Sequence, residues 1–186
     1  MADGDGELYW YDPDPRAILP LEKFHISRAL RRSVRQGRFQ ITTDNDFSKV
    51  VRACAQPGLG RDVTWISEDI IDAYAELHRL GYAHTVETWL DGELVGGLYG
   101  VAVNGLFAGE SMFSRARDAS KVALVYLVEY LRKQGFLLLD VQFMTEHLRR
   151  FGAIEIPRSE YRRRLAHAII VPAHYHRIDL VAAVDN

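Results

Sequence analysis

The alternation of apolar and polar residues changes period several times along this chain, and each change marks an element. Three apolar runs, 84–90, 93–103 and 106–113, are separated by Asp91-Gly92 and Asn104-Gly105. Two-residue turns of this kind match the twist of paired strands, so the stretch predicts an antiparallel three-stranded meander. Gly96-Gly97 in its middle strand marks a bulge or a close backbone approach. Ahead of the meander, residues 38–43 predict a short strand. Thr43 or Asp44 then caps a helix whose apolar positions are Phe47, Val50, Val51 and Cys54. Ser67 caps a second helix, with Ile70, Ile71, Tyr74 and Leu77 inward and Gly81 at its end. Beyond the meander, Asp118 or Ser120 opens a long helix that carries Val122, Leu124, Val125, Val128 and Leu131 and closes at Gly135. A strand over 136–144, helical segments near 145–151 and 158–168, and a last strand near 168–172 complete the pattern.

The prolines of Pro13-Asp14-Pro15 exclude a helix there, so residues 1–22 are expected as an extended arm laid on the body. Residues 23–172 then form one domain and 173–186 a tail. The fold class is α/β, a mixed and mainly antiparallel sheet flanked by helices. Its element order resembles the GCN5-related N-acyltransferase fold, in which the fourth and fifth strands part and an acyl donor sits between them. Counting strands puts Glu110 on the fourth and Asp140 and Gln142 on the fifth.

Those residues are unusual on their own account. Glu110 and Asp140 are carboxylates inside apolar runs, and an ionised group leaves water at a large cost unless it is paired or hydrogen-bonded. Strand alternation puts Glu110 with Met112 on one side and Asp140 with Gln142 on one side. The three polar groups then line a shared cleft, or each is a solvated or structurally satisfied position; the spacing does not choose.

Composition narrows the class. At 186 residues, with a net charge of −2, the chain is long enough for one well-buried core. No apolar run reaches membrane-spanning length and the first residues are polar, so a cytoplasmic protein without membrane attachment is expected. Cys54 is the single cysteine, which rules out an intrachain disulfide and a cysteine-based zinc cage. It lies on an apolar helix stripe and is expected in the core. No metal and no cofactor are expected; His174 and His176 have ligand-like spacing but fall in the tail. Charge is unevenly spread: Lys23, Arg28, Arg31, Arg32, Arg35 and Arg38 follow one another with no acidic residue between them, and a second cluster runs from Arg149 to Arg164. Such patches on a slightly acidic chain suggest a polyanion footprint, and a solvated helix face is the common alternative.

Acetyl-CoA enzymes of this fold hold the pyrophosphate on a glycine-rich loop at a helix N-terminus. The corresponding stretch here, Ser114-Arg115-Ala116-Arg117-Asp118-Ala119-Ser120, contains no glycine. It belongs instead to a run of motifs: Pro13-Asp14-Pro15-Arg16, His25-Ile26-Ser27-Arg28, Thr64-Trp65-Ile66, Leu94 to Val101, Gly109-Glu110-Ser111-Met112-Phe113-Ser114-Arg115, Ala119-Ser120-Lys121, Leu139-Asp140 with Gln142, and Glu155-Ile156-Pro157-Arg158. In this order they resemble the bacterial leucyl/phenylalanyl-tRNA–protein transferases, from about residue 9 to residue 165. The resemblance implies transfer of Leu or Phe, or Met, from aminoacyl-tRNA to the α-amine of proteins that begin with Arg or Lys, marking them for degradation.

It further implies a catalytic pair, Asp140 and Gln142, helped by Glu110, and a wall around the terminal adenosine that includes Trp65. Leu98, Phe107, Met112 and Leu139 would form the amino-acid pocket, with Ser114 and Arg115 beside it; core packing is the alternative for each apolar member. Lys23, Arg28, Arg31, Arg32 and Arg35 would meet tRNA phosphates. A monomer is expected. The family's N-terminal subdomain, with a Phe-Pro-Trp segment stacking on the adenosine, has no counterpart ahead of Trp10. Two other readings stay open: an acyl-CoA N-acetyltransferase, and a non-catalytic binder of aminoacyl-tRNA or N-terminal peptides.

Overall fold

The computed structural model describes residues 11–57 and 64–177. Trp10 and the last nine residues of the expected tail lie outside them. The strands are β1 (Arg16–Ile18), β2 (Gln40–Thr43), β3 (Ala83–Leu90), β4 (Glu93–Val103), β5 (Leu106–Ser114), β6 (Leu138–Gln142) and β7 (Ile154–Ile156). The helices are α1 (Arg28–Arg35), α2 (Phe47–Ala55), α3 (Glu68–Arg79), α4 (Ala119–Lys133), α5 (Glu146–Arg149) and α6 (Arg158–Ala168). One sheet, in the order β2-β3-β4-β5-β6-β1-β7, joins all seven strands. Every pairing is antiparallel except β5 with β6. This is the mixed, mainly antiparallel α/β sheet flanked by helices expected from the element order.

Alternate side chains divide the core. Leu98, Phe107 and Leu139 point to one face, where α4 covers them with Val122, Val125 and Val128. Tyr99 and Phe113 point to the other, under α2 and α3, and further along that face Leu106 and Leu138 pack beneath α6. The helix over one face is apolar along most of its circumference because the sheet, α1 and the segment after α6 all pack on it.

Several expectations are corrected. The arm is not simply laid on the body: Arg16–Ile18 is an internal strand between β6 and β7, with Ala17 and Ile18 fully buried. Residues 168–172 form no strand; α6 ends at Ala168, whose carbonyl accepts the Gly105 N–H and so pins the β4–β5 turn. The extra strands are β1 and β7. Asp46, not Thr43 or Asp44, caps α2, while Asp44 accepts the Thr85 N–H and pairs with His84. Cys54 is buried in the core.

Two local features shape the centre of the sheet. Tyr99 faces Ser111 and Gly100 faces Gly109, so Glu110 is the extra residue of a β-bulge. A Cβ on Gly100 would stand 2.3 Å from the Ala108 carbonyl oxygen, which is why glycine is needed opposite the bulge. At Gly96 a Cβ would stand 2.5 Å from the Ala119 Cβ, so this glycine lets the start of α4 settle on the sheet. That is the close approach its sequence suggested.

Candidate active site

The parallel strands β5 and β6 pair over Leu106–Ala108 against Leu138–Asp140 and no further. β5 continues to Ser114, so the strands part beyond Ala108 and Asp140. Glu110 stands on one side of the opening and Gln142 on the other. Asp140 lies at the fork.

The bulge decides where Glu110 points. Simple alternation places it beside Met112, but the extra residue breaks that pattern. Met112 packs on the α4 face, whereas Glu110 faces the Tyr74 hydroxyl of α3 on the opposite face, close enough for the two groups to interact. Burial raises the Glu110 carboxyl to about 7; the nearby charge of Asp140 pushes it further up, against the Tyr74 hydroxyl and the Arg16 charge. Burial and the Glu110 charge likewise hold the Tyr74 phenol well above its ordinary range. Glu110 is therefore a carboxyl that exchanges its proton near neutrality.

Asp140 is a different kind of acid. It is 1% exposed. Arg16 grips it with both arms of the guanidinium, Nε donating to Oδ1 at 3.1 Å and Nη2 to Oδ2 at 2.7 Å. The Tyr161 hydroxyl donates to Oδ2 at 2.8 Å, and the Gln142 backbone N–H donates to Oδ1 at 3.0 Å. The Arg16 guanidinium lies over the Tyr161 ring, 4.5 Å from its centre. Burial weighs against the Arg16 charge, but the hydrogen bond to Asp140 and its charge outweigh it, so the guanidinium pKa rises. Gln142 itself has left-handed backbone (φ 57), and its side chain is partly exposed with no hydrogen-bond partner among the described residues.

The four expected pocket residues Leu98, Phe107, Met112 and Leu139 do gather in one cluster, but Leu98, Phe107 and Leu139 are 3%, 0% and 1% exposed. Met112 alone of the four is partly accessible; it packs against the same cluster as the partly buried Tyr126, Val141, Met144 and Leu148. Trp65 is partly buried against the α2–α3 cluster. Ser114 does not line an apolar pocket: its hydroxyl donates to the Ala116 carbonyl at 2.9 Å and accepts the Ser120 N–H at 3.3 Å, closing the loop before α4. Arg115 lies on the far side of that loop, lining a surface cavity with Lys49, Arg52 and Trp89.

The two basic clusters differ. Lys23 follows Leu21 in a short 3-10 turn, and Arg28, Arg31, Arg32 and Arg35 all lie along α1 toward solvent. Among the described residues no carboxylate lies within ion-pair distance of Arg28, Arg31 or Arg32. In the second cluster Arg150 pairs with Glu146, Arg158 and Arg162 with Asp12, and Arg163 and Arg164 with Glu160. This face is partly neutralised: the five arginines share Glu146, Asp12, Asp14 and Glu160, and among the described residues Arg149 has no ion pair. Sequence reasoning gave no role to Arg16, Tyr161 or the Tyr74–Glu110 contact; the signals for Arg16 were its place in the Pro13-Asp14-Pro15-Arg16 motif and at the head of the apolar run Ala17-Ile18-Leu19. Among the described residues no side-chain cluster could hold a metal, and no helix is long and apolar enough to cross a membrane.

Known proteins share the fold and the sequence of this chain. A solved C-terminal domain of a putative lysylphosphatidylglycerol synthetase from Agrobacterium fabrum shares the fold, with a TM-score of 0.51 at 12% identity over 83% of this chain and 62% of that one. A leucyl/phenylalanyl-tRNA–protein transferase of Herpetosiphon aurantiacus is 59% identical over 168 residues, 90% of this chain and 86% of that protein. One of Gloeobacter violaceus is 56% identical over 176 residues, 94% of this chain and 89% of that protein. The family model for leucyl/phenylalanyl-tRNA protein transferase matches residues 18–166. The chain therefore belongs to the leucyl/phenylalanyl-tRNA–protein transferase family, aminoacyltransferases that take an aminoacyl group from tRNA to a protein.

Proposed function

We propose that this enzyme transfers leucine or phenylalanine, with methionine a third candidate, from tRNA to the α-amine of proteins beginning with Arg or Lys, creating a degradation signal in the cytoplasm. The observation that carries the reading is the pair of polar groups flanking the parted strands, Glu110 and Gln142, with Asp140 locked at the fork.

The donor is an ester, so the carbonyl is already activated and the site has to position, take a proton and stabilise charge. The acceptor α-amine has an ordinary pKa near 8, so a neutral fraction is present at pH 7. Its nitrogen attacks the ester carbonyl, the C–N bond forms, and the bond to the ribose oxygen breaks. Glu110 takes the proton that the amine loses and delivers it to the departing ribose oxygen, which leaves as a free hydroxyl. This differs from a role for Asp140 as proton carrier. A carboxylate has about four lone-pair sites, and Arg16, Tyr161 and Gln142 supply four donors. The neutral amide of Gln142 is a very weak base and serves as an orienting acceptor for the amine. Arg16 already balances Asp140, so the preference for a cationic acceptor falls to ionised Glu110.

The α1 arginines supply a phosphate-binding face, and Met112 with Val141 and Met144 offers an apolar surface for the aminoacyl side chain. The acyl-CoA alternative is disfavoured because the Ser114 hydroxyl already takes the Ser120 N–H at the start of α4, and the Asp118 carboxylate beside it, held by Lys121 and Ser33, would repel a pyrophosphate. The test is incubation with radiolabelled leucyl-tRNA and peptides that differ in their first residue. Label should pass to Arg- and Lys-peptides and not to an Ala-peptide or an Nα-acetylated Arg-peptide. Equal labelling of the Ala-peptide would refute the acceptor assignment.

A further inference from the structure

Asp140 is held by residues to which sequence reasoning gave no role. Arg16 reaches it from β1 because that strand lies antiparallel beside β6, with Ile18 opposite Asp140 and Ala17 opposite Gln142. The register slips between Ala17 and Ile18, leaving Val141 unopposed, and directly after it Gln142 takes its left-handed conformation. A non-glycine residue rarely holds this conformation without support. Support comes from Asp140, whose Oδ1 accepts the Gln142 N–H. Asp140 can give that bond a fixed direction only if its own carboxylate cannot rotate. Arg16 binds both oxygens and Tyr161 binds the second, so rotation would break three hydrogen bonds.

The arrangement is more elaborate than sheet stability needs. A buried ion pair is weak evidence of stabilisation, because desolvation offsets most of the attraction. Here the guanidinium is also seated on the Tyr161 ring, and Tyr161 is itself buried, so both donors are placed by packing before any substrate arrives. The charged groups around Arg16 are Asp140 and Asp12, and Asp12 is in turn shared with Arg158 and Arg162 of α6. The segment before β1 and the first turn of α6 are thus tied together on the side of Asp140 away from the cleft.

We propose that Arg16 and Tyr161 are positioning residues for aminoacyl transfer: through Asp140 they fix the Gln142 backbone, and with it the amide that receives the acceptor amine. Neither touches substrate. The proposal rests on the transfer reading above. It assigns catalytic loss to changes at two residues outside the cleft. It also separates two uses of an acid in one site, Asp140 as a fixed hydrogen-bond acceptor and Glu110 as the group that exchanges a proton.

The experiment compares wild type with Tyr161→Phe and Arg16→Lys in two measurements. Tyr161→Phe keeps the buried ring and its contact with Arg16 and removes one hydrogen bond, so it folds even if Arg16→Lys does not. In single-turnover transfer of leucine to an Arg-peptide, each variant should lose about tenfold or more in rate, with KM for charged tRNA and for peptide changed less than about twofold. In amide exchange of the free protein, the Gln142 N–H should exchange about tenfold faster in each variant, while amides in β3 and β4 keep their rates. Wild-type rate and unchanged Gln142 exchange in folded Tyr161→Phe would overturn the inference. Raised KM with normal rate would also overturn it, since that is the mark of a general structural change. A wild-type protein that fails to transfer leucine would refute the transfer reading itself. The exchange measurement would then still decide whether Arg16 and Tyr161 fix Gln142.

Discussion

At the scale of single residues, two carboxyls a few residues from the same fork have opposite characters. The sequence made both conspicuous, since each interrupts an apolar run, but could not tell them apart. Arg16 and Asp140 are 124 residues apart along the chain, and no local pattern links them. Nor could strand alternation foresee that Glu110 turns toward Tyr74, because one extra residue reverses every later side chain of the strand. The raised carboxyl of Glu110 has a consequence for stability. Its pKa is about 7 in the folded protein against an ordinary 4.5, so the folded state binds more protons between those values. Its contribution is fully present below pH 4.5 and is lost as pH rises through 7. Glu110→Gln should therefore stabilise the protein at pH 8, by about 1–3 kcal/mol after allowing for partial solvent screening, and leave stability near pH 4.5 unchanged. Urea unfolding at the two pH values measures this; equal effects at both would mean that the carboxyl is not held neutral by the fold.

At the scale of elements, the turns were the most legible part of the chain. Asp91-Gly92 adopts the left-handed pair of angles (φ 53 and 82) that its residue types favour, and the meander follows from it. Such information is local. β1 and β7 have three residues each, too few for a period, and they exist because they pair with strands far along the chain. The segment after α6 resembles a strand because Ile169, Ile170 and Val171 are β-branched and apolar, yet they pair with no strand of the sheet. The bulge is the element on which the site depends, and Gly100 is its hinge. Gly100→Ala would drive a Cβ against the Ala108 carbonyl and the Phe107 ring. A loss of about 2 kcal/mol is expected from such overpacking. Transfer should fall by more than the folded fraction does, because the bulge that aims Glu110 is displaced. Activity that simply tracks the folded fraction would show that the bulge is incidental.

At the scale of the whole molecule, charge separates what composition blurred. Both arginine clusters stood out in the sequence, but only the structure shows that the second is partly neutralised by Glu146, Asp12, Asp14 and Glu160 while α1 presents its arginines to solvent. Replacing Arg31, Arg32 and Arg35 together with Gln should weaken tRNA binding and reduce the slope of log K against log salt by about 2, at roughly 0.7–0.9 for each phosphate no longer neutralised. Replacing Arg162, Arg163 and Arg164 should leave that slope unchanged. The fold as a whole was legible because element order is a sequence property; the division of labour between faces was not, because it depends on which strand lies beside which. The central claim is that Glu110, turned by the bulge toward Tyr74 beside the opening between β5 and β6, takes the proton of the acceptor amine. Its most direct test is the pH dependence of single-turnover leucine transfer to an Arg-peptide. Wild type should lose rate first as pH drops below the acceptor amine's ordinary pKa near 8 and more steeply as it falls through about 7; Glu110→Gln should be slower by about a hundredfold or more and keep only the shallower fall set by the amine. A Glu110→Gln enzyme that keeps both its rate and the same fall below neutrality would contradict the account.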